Sequence, residues 1–179
     1  MAETFTNALA RATGIVTTSS SGTVGVTTTI ITGISTVSVS VGDIVDNQHF
    51  RGGTKVSVIG SGQVTVDKTS TNTASASSQN VKFLGPTTSY ASPPDTKSIL
   101  IGGTFSNLTD NSINVTVEVV SGAGSTAVNL VNDIPIPTGS SFVISDAGKA
   151  VLLGTDEIRV YCDTENAVDV TLGILQGVN

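Results

Sequence analysis

The side chains able to carry acid–base chemistry near neutral pH are few, and the single histidine, His49, stands close in sequence to Asp43 and Asp46. An imidazole oriented by a carboxylate is half of a nucleophilic relay, which also needs a serine or cysteine within reach. No G-x-S-x-G elbow occurs, and the one cysteine, Cys162, is far along the chain. Cys162 falls in the alternating run Glu157-Ile158-Arg159-Val160-Tyr161-Cys162, in phase with Ile158 and Val160, so a small buried hydrophobe is expected. Gly122-Ala123-Gly124-Ser125-Thr126-Ala127 fits the letters of the G-x-G-x-x-[GA] dinucleotide fingerprint. The next residues, Val128-Asn129-Leu130-Val131, keep alternating, so the helix N-terminus that would hold a pyrophosphate is missing and a glycine-rich hairpin is expected. No D-x-[DN]-x-[DN]-G loop or paired histidines point to a metal. A glycoside hydrolase would need facing carboxylates and aromatic platforms, and only seven aromatics exist, most of them in strand-like runs. The expectation is a protein with no catalytic, cofactor or metal residues.

The elements that must position any site are strands. Valine, isoleucine and threonine number 24, 14 and 27 in 179 residues, and these β-branched side chains favour pleated over helical backbone. Serine, threonine and glycine sum to 68, yet hydrophobics reach 38%, enough to bury a core. Residues 1–85 carry a net charge of +1 and residues 86–179 a net of −7, which suggests two modules. No basic patch is interleaved with aromatics, so nucleic acid is not an expected partner. No apolar run is long enough for a membrane span, and the opening residues lack the pattern of a signal peptide. A soluble protein of a reducing cytosol is expected, with the sequons at Asn107 and Asn114 unused.

Alternation predicts strands at Thr36–Val41, Val56–Ile59, Gln63–Val66 and Asn80–Leu84, with Gly60-Ser61-Gly62 as a hairpin connection. Gly85-Pro86 and Ser92-Pro93-Pro94 predict a linker over 86–97. Beyond it, seven strands are expected at Ser98–Phe105, Ile113–Val120, Thr126–Val131, Ser141–Ser145, Ala150–Leu153, Glu157–Cys162 and Ala167–Ile174. Turns at Asp110-Asn111, Gly122-Ala123-Gly124, Asp146-Ala147-Gly148 and Gly154-Thr155-Asp156 separate them. So many short antiparallel strands predict a jelly-roll-like β-sandwich over 98–179, after a small β module over 12–85. Residues 1–11 read as an arm, with Phe5 and Leu9 at a spacing that fits one amphipathic turn.

The string Ala127-Val128-Asn129-Leu130-Val131-Asn132-Asp133-Ile134-Pro135-Ile136-Pro137-Thr138-Gly139-Ser140-Ser141, with the later Val168-Asp169-Val170-Thr171-Leu172-Gly173-Ile174-Leu175, resembles small virion structural proteins of tailed bacteriophages, particularly those infecting cyanobacteria. The opening Met1-Ala2-Glu3-Thr4-Phe5-Thr6-Asn7-Ala8 is similar to that family's usual start. In that family the first string corresponds to a strand, a proline-bracketed crossover and a turn, so Asp133, Pro135, Pro137 and Gly139 carry the likeness. Residues 12–85 intervene, and Val41-Gly42-Asp43-Ile44-Val45 with Gly53-Thr54-Lys55-Val56 resembles phage fibre and surface modules. The resemblance implies a noncatalytic virion protein assembled in the host cytoplasm, foremost a head decoration or cement protein. Its implied partners are the major capsid protein, other virion proteins and further copies of itself, with a trimer favoured on symmetry grounds. Phe5, Leu9 and Arg11 are the expected assembly contacts, with residues 12–85 projecting outward. A neck, tail, baseplate or fibre component, or a glycan-binding module for the host surface, is the alternative.

Overall fold

The computed structural model describes residues 3–122, 126–145 and 149–178. The turns expected at 122–124 and 146–148, and with them the middle of the G-x-G string, fall largely outside those residues. All regular structure among the described residues is strand, and every named pairing is antiparallel. In chain order the strands are β1 (Thr4–Thr13), β2 (Ile15–Val24), β3 (Ile30–Thr32), β4 (Ile44–Asp46), β5 (Val56–Gly60), β6 (Gln63–Val66), β7 (Ala76–Gly85) and β8 (Thr87–Ala91). There follow β9 (Ser98–Asn107), β10 (Ile113–Val120), β11 (Ala127–Ile136), β12 (Ser141–Ile144), β13 (Ala150–Leu152), β14 (Glu157–Cys162) and β15 (Val168–Gln176).

Two compact units share the chain. The first takes the residues up to Thr13, Thr87–Tyr161 and those from Asn166 on; the second takes Gly14–Pro86 with Cys162–Glu165. The first unit has two sheets, one ordered β1-β15-β9-β12 with β13 also on β9, the other ordered β11-β10-β14-β8. This is a sandwich-like all-β arrangement whose inward positions alternate as a strand period of two requires. Val168, Val170, Leu172 and Ile174 are buried along β15, as are Ile158 and Val160 on β14, while on β9 the extra residue Ile101 shifts the buried phase from Leu100 to Gly103 and Phe105. The alternation also breaks on β10, where Ile113, Val115 and Val117 are buried as expected but Thr116 and Glu118 are buried too, and Val120 rather than Val119 is inside. The register shifts of this pair each place an extra residue on β11.

Residues 4–13 are not a helical turn but a full strand, paired with β15 from Thr4↔Gln176 to Thr13↔Val168. The Phe5/Leu9 spacing fits both geometries, because positions four apart share a face in a strand as well as in a helix. The proline-rich stretch 86–97 contains a further strand, β8, paired with β14.

The second unit is one six-stranded sheet ordered β4-β7-β2-β3-β6-β5. Its buried cluster includes Val24, Ile31, Val45, Val56, Val64, Val66, Val81 and Phe83 from strands, and Ile34, Val39 and Phe50 from the connections. The strand expected at Thr36–Val41 is one of those connections: Val37 and Val41 are exposed, Ser38 has φ 61° and only Val39 turns inward.

Candidate functional site

The sequence-expected contact residues share one surface. β1 is the edge strand of its sheet, with Phe5 76% and Leu9 73% exposed and Arg11 also outward. Cross-strand pairing places Phe5 opposite Leu175, Leu175 opposite Ile99, and Ile99 opposite Val151. Directly opposed residues on antiparallel strands point to the same side, so these four form one apolar row across the outward face. A second row runs Leu9, Thr171, Thr104 and Val143. Between them lies Asn7 opposite Gly173, which is opposite Gly102, with Ile101 beside it as the extra residue of β9, so two of the positions in the middle of the face have no side chain. The result is an open hollow of about 410 Å³, bordered by Phe5, Asn7, Thr104 and Thr171 and floored by those glycines. Gly102 cannot be enlarged freely, since a Cβ there would come within 2.9 Å of the Ile144 carbonyl oxygen. Arg11 stands at the bulge that ends the regular β1–β15 register, where the Asp169 carboxylate accepts the Ala12 N–H at 2.9 Å.

Asp133, Pro135, Pro137 and Gly139, on which the expected resemblance rests, have structural tasks. Asn132 and Asp133 together oppose Thr116, forming a bulge in β11; Asp133 takes φ 53° and its N–H donates to the Thr116 hydroxyl at 3.0 Å. Aspartate tolerates this left-handed geometry better than most residues. Pro135 pairs with Asn114 on what is an edge strand, where a sheet accepts proline. Pro137 and Gly139 belong to a turn closed by the Ser140 N–H on the Pro137 carbonyl, with Gly139 at φ 66°. The expected crossover is therefore the end of β11 followed by a tight turn. Asn107, half of a sequon, is buried; its amide donates to the carbonyls of Asn111 and Ile136 and its oxygen accepts the Thr109 N–H.

His49 and its neighbouring acids are not joined into a relay. The His49 Nε2 lies 3.2 Å from the Gln79 Oε1, whereas the Asp43 carboxylate accepts the Ser40 N–H at 2.9 Å and the Thr17 hydroxyl at 3.3 Å. Asp43 is almost fully buried, and that burial pushes its carboxyl above the usual carboxylate range against the pull of both hydrogen bonds. Burial likewise raises Asp46, opposed by the charge of Lys82 and reinforced by that of Glu165. Lys82 is paired with Glu165, and this bond holds its ammonium above the ordinary lysine value. An open hollow of about 400 Å³ lined by Asp46, Asn47, Gln48, Gln79, Asn80 and Lys82 adjoins this pair. Cys162 is fully buried and its thiol is pushed up to about 12 by desolvation, which leaves the thiolate scarce. Among the described residues no three His, Cys, Asp or Glu side chains are grouped to hold a metal.

No protein-family model, no curated protein and no solved structure matches this chain.

Proposed function

We propose that this chain is a noncatalytic structural protein of a tailed-phage virion, foremost a head decoration or cement protein that binds the shell through the outward face of its five-stranded sheet. What supports the reading is that face: two rows containing Phe5, Leu9, Val143 and Val151, each more than half exposed, flank a glycine-floored hollow. Apolar surface grouped in this way on a polar β protein is the mark of an interaction site. The resemblance in 127–141 and 168–175 supplies the virion context, the capsid protein as partner and self-association, a trimer being the simplest closed form. A jelly-roll connectivity for the sandwich, and an arm role for the first residues through Phe5, Leu9 and Arg11, belong to the same reading. The decisive experiment adds purified protein to phage heads lacking it and to isolated tails and images both by electron microscopy. Density across the shell, lost in a Phe5→Ser/Leu9→Ser variant, is the expected result; density confined to neck, tail or baseplate moves the protein there.

A second reading, a glycan-binding module for the host surface, is favoured by the hollow lined by Asp46, Asn47, Gln48, Gln79, Asn80 and Lys82. Carboxylate, amide and ammonium groups together supply the acceptors and donors that sugar hydroxyls need. Chemical-shift changes with neutral sugars confined to these residues would support it.

A further inference from the structure

We infer that the second unit carries a binding site for a phosphate or sulfate monoester on a sugar-sized body, built around Arg51. The site is an open hollow of about 420 Å³ lined by Thr27, Arg51, Lys68, Thr69, Ser70 and Thr71. Three connections create it: the one before β3, the one after β4 and the one after β6. They are tied together at fixed points. Thr28 N–H donates to the Ser70 hydroxyl at 3.0 Å and that hydroxyl donates to the Gly25 carbonyl at 2.9 Å. The Thr71 N–H donates to the His49 carbonyl at 2.8 Å, and the Lys68 ammonium reaches the Gly52 carbonyl at 3.1 Å. The cations are thus anchored on a cross-linked frame rather than on free loops.

Three observations give the site its chemistry. The exposed Arg51 guanidinium has neither a hydrogen bond nor an ion pair among the described residues, leaving a planar donor fork open. Such a fork matches two oxygens of an oxyanion, and the Thr69 hydroxyl lies on the same rim, beside the Lys68 ammonium that donates to the Gly52 carbonyl and the Thr71 hydroxyl that donates to the His49 carbonyl. The neighbouring Asp67 is not part of the lining and accepts the Lys55 N–H at 2.7 Å. Thr27, on the lining, is held at φ 47°. A β-branched residue in that region is strained, and strain of this kind gathers at ligand clamps. The volume decides the size class, for hollows of several hundred Å³ take small organic molecules, far more than a bare anion fills.

This inference is independent of the shell-binding reading, because it concerns other residues and its test needs no particle. The intact protein, labelled with ¹⁵N, is titrated with glucose 6-phosphate, glucose 6-sulfate, inorganic phosphate and glucose. Saturable shifts at the amides of Arg51 and Lys68 to Thr71 with either ester, and none with glucose, are expected. Arg51→Ala, an exposed position that leaves the backbone frame intact, should weaken the ester by about tenfold or more with the rest of the spectrum unchanged. Raising the salt concentration should weaken it further. Absence of saturation with both esters, or equal binding by Arg51→Ala, would overturn the site. Inorganic phosphate binding as tightly as the esters would overturn the sugar-sized ligand.

Discussion

The two units reach a dry interior by different routes. In the first, β9 and β15 face each other over nine paired positions, and the core is their inward alternation. In the second, β3 and β4 have three residues each, and connections supply Ile34, Val39 and Phe50 to the core. The connections of the second unit must therefore be fixed as firmly as strands, and buried side-chain hydrogen bonds do this. Asp43 holds Ser40 and Thr17; Ser70 bridges Thr28 and Gly25. The first unit uses the same device at turns, as where Asp156 accepts the N–H groups of Leu153 and Gly122, at the bulges held by Thr116 and Asp169, and between the Tyr90 and Ser98 hydroxyls. In the first unit such ties join strands already in register; in the second they fix the connections that close the core.

The largest expected effects test whether both interiors are equally tight. Phe105→Ala and Phe83→Ala remove fully buried rings, one from each unit, and each should cost about 3–5 kcal/mol in urea unfolding. Phe50→Ala should fall at the low end of that range, since a connection closes over a vacated space more readily than a paired strand. A Phe50→Ala cost matching that of Phe105→Ala would erase the distinction. Next come the ties. Asp43→Ala removes the acceptor of the Ser40 N–H, while the Thr17 hydroxyl keeps the Phe83 carbonyl, and Asp156→Ala removes the acceptor of two N–H groups; each should cost about 1–3 kcal/mol.

Asp43→Asn keeps an acceptor oxygen but removes the titration. Because burial raises the Asp43 carboxyl above its ordinary 3.8, the folded protein holds a proton that the unfolded chain has released. Stability should therefore decline as pH rises from 3.8 through the raised value, and the cost is fully present above it. Asp46 adds a slope of the same sign. Urea unfolding between about pH 4 and pH 7 should show a shallower decline in Asp43→Asn than in the parent; an identical slope would mean the carboxyl is not desolvated. The smallest effects are expected on the outward sheet face. Phe5→Ser/Leu9→Ser should change stability by no more than about 0.5 kcal/mol per site. Cys162, with its thiol near 12, should ignore thiol reagents in the folded protein and react only on unfolding.

The same division explains what the sequence made legible. Runs such as Glu157–Cys162 and Val168–Ile174 bury one face, so alternation located them and placed Cys162 in the interior. Val37, Val39 and Val41 alternate as well, yet only Val39 enters a core, because Ser38 adopts a left-handed conformation that no period reveals. β1 was hidden by the ambiguity of the Phe5/Leu9 spacing, and β8 by the prolines beside it. Phe5 and Leu9 stood out in the sequence as apolar groups four apart in a polar segment, but the rows that join them to Ile99, Val143 and Val151 depend on strand register. Arg51 and Lys68 carry no mutual spacing signal at all; only the crossing of two connections brings them to one rim.

The pairing of β1 with β15 has a consequence in time. Residues 4–13 leave the ribosome early, but their hydrogen-bonding partner is made some 160 positions later, as Thr4 waits for Gln176 and Ala10 for Val170. Long-range pairings of this kind form late in folding. Phe5 and Leu9 therefore join Ile99 and Val151 in a single face only once β15 is in place. A half-made chain has the apolar residues without the geometry: copies that stall or are truncated before β15 lack the joined outward face.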